Sequence, residues 1–139
     1  KEQRIKNKLE KNPIKECLSI QKKFYPRLFN RFNEVADPRN SSYIDYSNRV
    51  MLGTLYFKSI CSVPSMQSMT NYFNKEEVVS NIYNILGDKE KEYLPHYVTL
   101  NEYLERLNPK ELENIQHDIV YRMIRRKTFN DAINVKLIM

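Results

Sequence analysis

Glycine, histidine, cysteine and long apolar runs are all scarce in this chain, and each scarcity removes a class of explanation. Gly53 and Gly87 are the two glycines in 139 residues, so no glycine-rich loop exists to cradle a phosphate. The two histidines, His96 and His117, stand far apart, and neither has a second His or Cys at metal-ligand spacing. Cys17 and Cys61 are too few for a disulfide framework. They read as small core side chains, and a reducing, cytoplasmic compartment is the expectation. The longest apolar run, Val50 to Phe57, is interrupted by Gly53 and Thr54 and followed by Lys58. A membrane span takes about 20 apolar residues, so no membrane partner is expected. The first residue is Lys1, and nothing after it reads as a targeting signal.

What is present is helical in pattern. Apolar residues make up 41% of the chain, enough for one domain with a real core. Their spacing is helical almost throughout, which with so little glycine predicts an all-α fold: a compact bundle of about six to seven short helices. The apolar positions Ile14, Leu18, Tyr25, Leu28, Phe32 and Val35 open the pattern, and Pro26 should break it near Phe24-Tyr25. Asp37 to Ser42 is a turn-rich surface loop. Ser47 can cap a helix over 48–61 whose apolar residues cover most of its circumference, as in a central buried helix. Pro64-Ser65 starts a short helix with Met66, Met69 and Phe73 on one face. Asn74-Lys75-Glu76-Glu77 reads as a capping box for the next helix, which Gly87 ends. Thr99-Leu100-Asn101-Glu102 and Asn108-Pro109-Lys110-Glu111 read as two further boxes, the second with proline at the first helical position. The last helix carries an amphipathic stripe of Leu112, Ile115, Ile119, Val120, Met123 and Ile124.

The net charge of +6 is uneven. Residues 1–31 hold ten Lys/Arg against three Glu, a net of +7, and residues 32–139 hold thirteen against fourteen acids, a net of −1. A basic excess gathered at one end suits a nucleic-acid partner better than a generally basic protein does. Residues 1–13 form the basic arm, 14–129 the helical domain, and 130–139 a divergent tail. The pairs Glu76/Glu77, Glu102/Glu105 and Glu111/Glu113 fall at first turns or solvent faces, where capping and solubility explain them. No catalytic residue and no metal ligand is assigned, and the chain is not expected to be an enzyme on its own.

One ordered series of motifs points further. Asp37-Pro38-Arg39-Asn40 precedes Ser42-Tyr43-Ile44-Asp45-Tyr46 and the long apolar helix. Ser65-Met66-Gln67-Ser68-Met69-Thr70-Asn71-Tyr72-Phe73-Asn74 follows, then Leu94-Pro95-His96-Tyr97-Val98-Thr99-Leu100-Asn101-Glu102-Tyr103-Leu104. Over roughly residues 20–129 this order resembles the helical N-terminal region of bacterial DDE-type cut-and-paste transposases, in particular the H-repeat-associated group. The resemblance implies a domain that handles the terminal inverted repeats of a mobile element, as a possible homodimer, while a separate nuclease domain uses Mg2+ and three carboxylates. In the family the first of those carboxylates closely follows the segment resembling Ile119 to Phe129, at the end of a strand. Here Asn134 to Met139 could be that strand, but it ends without an acid, and Asp131 lies before it. The expectation is a chain that departs from the family near Asn130, by truncation or divergence, and does not cut DNA.

For double-stranded DNA, candidate phosphate contacts are Lys22, Lys23, Arg27 and Arg31 at one end and Arg122, Arg125, Arg126 and Lys127 at the other, with Lys6, Lys8, Lys11 and Lys15 in and beside the arm. Ser65 to Leu107 is the most helix-turn-helix-like stretch. With Thr99 as cap, its last helix would turn Asn101 and Arg106 toward base edges. The rival reading is a helical self-association module of the transposase without DNA contact; a third is an inactive remnant. One contiguous basic face joining both clusters would favour DNA, and an exposed apolar stripe would favour the interaction module. Asp37 is expected to cap or pair with Arg39 and fix the loop before the central helix.

Overall fold

A computed structural model describes residues 13–125. The basic arm up to residue 12, Arg126, Lys127 and the tail from 130 lie outside the described residues. Seven α-helices run between Pro13 and Arg125, with no strand among the described residues. Among them, no helix is long and apolar enough to cross a membrane.

Helix α1 spans Pro13–Phe24. Its last backbone bond runs from Tyr25 N to Gln21 O at 2.7 Å. Pro26 has no N–H to continue it, so the chain turns and restarts as α2, Leu28–Asn33, which buries Leu28 and Phe32. After α2 the Asp37 carboxylate accepts from Arg39 N, Nε and NH2 at 2.9, 2.9 and 2.7 Å. Asn40 Oδ1 accepts from Ser42 N and starts a short 3-10 turn, Ser41–Tyr43.

Helix α3, Asn48–Ile60, is capped by Ser47, whose hydroxyl accepts from Val50 N at 3.2 Å and donates to Asp88. Asn48, Val50, Met51, Leu52, Gly53, Thr54 and Phe57 are all buried. That near-complete ring makes α3 the axis of the bundle, packed against α1, α2 and the fifth helix. Two of its residues tie it to loops and neighbours. Asn48 Nδ2 donates to Val35 O at 2.8 Å, and Asn48 Oδ1 accepts from the Tyr103 hydroxyl at 2.7 Å. Arg49 N donates to Asn33 Oδ1 at 2.9 Å, while its guanidinium reaches Asn30 Oδ1 and the carbonyls of Leu86 and Gly87.

Helix α4, Met66–Phe73, has Ser65 as its cap, accepting from Ser68 N at 3.1 Å, and buries Met69 and Phe73. Helix α5, Glu76–Leu86, buries Val79, Ile82, Tyr83 and Leu86 and leaves through Gly87 at φ 72°, the left-handed exit that glycine adopts without strain. The Asn74–Glu77 capping box is not formed. Lys75 occupies the cap position without a side-chain bond. Asn74 instead holds the loop at 87–96, its Oδ1 accepting from Leu94 N at 3.1 Å and its Nδ2 donating to Thr70 O at 2.9 Å.

Helix α6, Tyr97–Arg106, starts earlier than its sequence suggests, whereas α5 starts one residue later. His96 is the cap, with Nδ1 accepting from Val98 N at 3.2 Å, so Thr99 lies inside the first turn. Leu100 and Tyr103 are buried and the helix packs on α4. The α5–α6 connection covers residues 87–96, longer than the three- or four-residue turn of a helix-turn-helix pair. Helix α7, Pro109–Arg125, opens with Asn108 Oδ1 accepting from Lys110 N at 3.0 Å and with proline at its first position. Of its expected apolar stripe, Ile115 alone is buried. Ile119 and Met123 are half-buried, and Leu112, Val120 and Ile124 are exposed.

Candidate nucleic-acid interface

Tyr25 is the point where the two ends of the sequence meet. Its ring is buried at the α1–α2 corner, and the Arg122 guanidinium of α7 lies over it, 4.6 Å from the centroid. That distance is within the range of a cation–π contact. Four residues along α7, Asp118 Oδ2 accepts from Arg31 Nε of α2 at 3.3 Å. Together these contacts seat the last turns of α7 against the corner between α1 and α2. Burial raises the Tyr25 phenol pKa above its ordinary value, and the Asp118 charge adds to it, so the ring stays neutral beside the guanidinium.

Arg122 is thus brought onto the α1–α2 corner, where Lys22 and Lys23 end α1 and Arg27 leads into α2; all four are exposed, as is Arg125 one turn further along α7. Lys23 Nζ stands 5.5 Å above the Phe24 ring, and the Arg125 guanidinium 5.9 Å from that of Tyr121. A polar hollow of about 570 Å³ opens beside Arg122 and Arg125, with Asp118 and Tyr121 also in its lining. Cations laid along aromatic rings are held at fixed positions rather than waving on long stems, which lowers the entropy lost on meeting an anion.

Arg31 departs from its expected role. Its side chain is 19% exposed and engaged by Asp118 and, at 3.8 Å, by Glu34. With its charge answered twice, it positions α7 rather than offering itself to a phosphate. Asn101 and Arg106 are both exposed on α6, away from the Tyr25 corner in the chain and packed through α4. Arg106 shares a cleft of about 210 Å³ with Arg39, Asn40, Thr99, Glu102 and Tyr103. There the Arg39 guanidinium lies 5.1 Å over the Tyr103 ring while its nitrogens hold Asp37. Asp37 pairs with Arg39 as expected, and the Arg39–Tyr103 contact, which was not expected, makes the segment a clamp between the α2–α3 loop and α6.

The sequence reading missed Tyr25 and Asp118. Tyr25 looks like one more apolar position, and its only distinguishing mark is the following Pro26, which fixes the corner that turns the ring toward α7. Among the described residues there is no group of three or more His, Cys, Asp or Glu placed to hold a metal ion. Cys17 and Cys61 are both half-buried and unbridged, and burial raises the Cys61 thiol pKa, with Cys17 nearby adding to it. No protein-family model, no curated protein and no solved structure matches this chain.

Proposed function

We propose that this chain is a DNA-binding helical domain of the DDE transposase kind, holding the terminal inverted repeats of its element without cutting them. The observation that carries the reading is the Arg122 guanidinium seated on Tyr25, at the corner whose flanking sequence supplies Lys22, Lys23 and Arg27. A duplex presents phosphates at close, regular spacing, and a protein gains affinity by neutralising several at once while releasing their counterions. Lys22, Lys23, Arg27, Arg122 and Arg125 supply that contact, and Arg126 and Lys127 continue the same run of sequence. Base discrimination is assigned to Asn101 and Arg106. Arg106 precedes α7 directly, and α7 rises about 1.5 Å per residue, so the start of α7 stands roughly 20 Å from Arg122. A duplex that meets both groups has to span that distance.

Fluorescence anisotropy with an end-sequence duplex and a scrambled duplex, titrated with salt, tests this. Five phosphate contacts give a slope of about −4 to −5 in log affinity against log salt. Alanine at Arg122 or Arg125 lowers the slope by about 1 for both duplexes, and Asn101→Ala narrows the difference between them. A slope near zero, or one indifferent to Arg122→Ala plus Arg125→Ala, removes the reading.

A further inference from the structure

The cleft beside the Asp37–Arg39 clamp encloses about 210 Å³ between Arg39, Asn40, Thr99, Glu102, Tyr103 and Arg106. Sites for drug-sized ligands run to about 300–1,000 Å³, so this one suits a single flat ring system. One of its walls is rigid. The Arg39 guanidinium is gripped along its edge by Asp37 and lies 5.1 Å over the Tyr103 ring, with 13% of the side chain still exposed. Tyr103 is 1% exposed and its hydroxyl is committed to Asn48, so Arg39 is the member of the stack that meets a ligand. A guanidinium held flat in this way offers a plane on which an unpaired base stacks.

The polar groups of the lining say which base. Glu102 precedes Arg106 by four residues on α6, the favourable order for an ion pair. No ion pair joins them, and neither side chain bonds to any described residue. Both are exposed. The cleft therefore presents an unengaged carboxylate beside an unengaged guanidinium. Asn40 spends its Oδ1 on Ser42 N, which leaves Nδ2 as a further donor. A carboxylate repels phosphate, so the matching ligand carries donors on one edge and acceptors on the next. Guanine has that pattern: N1–H and the exocyclic amine stand side by side for a carboxylate, and O6 and N7 accept from an arginine. Adenine and cytosine each offer a single donor group, and thymine a single N–H. In a duplex the N1–H edge of guanine is occupied by cytosine, so the base that fits here has left its pair.

We propose that this cleft binds an unpaired guanine of a DNA strand, stacked on Arg39, donating from N1 and the exocyclic amine to Glu102 and accepting at O6 and N7 from Arg106. The choice of a DNA strand as the source rests on the function proposed above, whereas the choice of guanine rests on the cleft alone. The phosphate contacts at the Tyr25 corner take no part in it.

The test is fluorescence anisotropy with labelled thymine-tract strands that carry one central guanine, hypoxanthine or adenine, at one fixed salt concentration. Hypoxanthine keeps O6, N7 and N1–H and lacks the exocyclic amine. The guanine strand should bind about tenfold more tightly than the hypoxanthine strand, the fold-change of one hydrogen bond to a charged group. The adenine strand should bind more weakly again. Glu102→Gln should bring guanine down to the level of hypoxanthine, and Arg106→Ala should weaken both alike; both side chains are exposed, so neither change threatens the fold. Equal affinity for the three strands overturns the proposal, as does a guanine preference that survives Glu102→Gln. Displacement of the guanine strand by an equal concentration of guanosine monophosphate overturns the strand as source and gives the cleft to a free nucleotide. Duplex binding and its salt slope are read on the same protein. Their loss with the guanine preference intact removes the duplex reading alone, and their presence with three equal strands removes the guanine site alone.

Discussion

At the scale of single residues, one chain of contacts fixes the centre of the molecule: Asp37 to Arg39, Arg39 to the Tyr103 ring, the Tyr103 hydroxyl to Asn48, and Asn48 to Val35 O. The hydrogen bonds from the Arg39 side chain hold the Asp37 carboxyl below its ordinary value of 3.8. In acid the unfolded chain therefore takes up that proton first, so the stability from this pair is complete above about pH 4 and is lost as pH falls further. Asp37→Asn should flatten the acid limb of a thermal-melt series below that pH. At Tyr103, burial first and then the Asp37 charge push the phenol up to about 12. The unfolded tyrosine ionises near 10, so stability falls between those two values as pH rises. Tyr103→Phe should lower stability at neutral pH by about 1–3 kcal/mol, because Asn48 Oδ1 loses its buried donor, and should make the alkaline fall less steep. Gly53 is constrained by space rather than by backbone: a Cβ there would stand 2.5 Å from Leu86 Cδ2, in a side chain that is 2% exposed. Gly53→Ala gains helix propensity but overpacks the α3–α5 contact, and a net loss of about 1 kcal/mol is expected in urea unfolding.

At the scale of helices, what was legible depended on whether a polar side chain found its partner locally. Ser47, Ser65 and Asn108 cap where the sequence puts them, since each meets an amide two or three residues on. Gly87 ends α5 for the same local reason. Asn74 misleads because its competing partner lies 20 residues along the chain, and Thr99 because an imidazole three residues earlier takes the cap. Leu94 N reaches back to Asn74, and the loop that it pins lets the His96 imidazole cap α6 first. No spacing rule contains that contact. The basic clusters were legible as composition, yet their meeting at Tyr25 depends on how α7 crosses the α1–α2 corner. Arg31, read as a phosphate contact, is spent on setting that crossing. Helix α7 shows the reverse case: its stripe has the period of a buried helix, but the fold covers little more than Ile115. For the caps, Ser47→Ala should cost about 1 kcal/mol, read as a shift in denaturation midpoint, and more if Asp88 is left without its hydroxyl donor. Arg31→Ala should loosen the α7 end and lower the melting temperature while leaving unchanged the salt slope expected under the DNA-binding proposal.

At the scale of the whole molecule, the core is a single cluster running from Tyr25 and Leu28 through α3 to Leu100, Tyr103 and Ile115. The Tyr25 corner, with Arg122 of α7 over it, stands at one end of that cluster, and the Asp37–Arg39 clamp ties in α6 at the other. What joins α2 to the far end of α5 is Arg49. Its backbone amide caps onto Asn33, and its guanidinium spans Asn30 and the carbonyls of Leu86 and Gly87. Those carbonyls belong to the end of α5, where the helix leaves acceptors without intrahelical donors. The consequence is temporal. Helix ends ordinarily fray on their own, one or two residues at a time, and exchange their amide protons quickly. Here the last turn of α5 can open only when α2 and the start of α3 release it, so amides 83 to 88 should exchange with deuterium as slowly as those of the central helix. Substituting alanine for Arg49 should split that shared rate into two, with α5 exchanging from its C-terminal end while α3 stays protected.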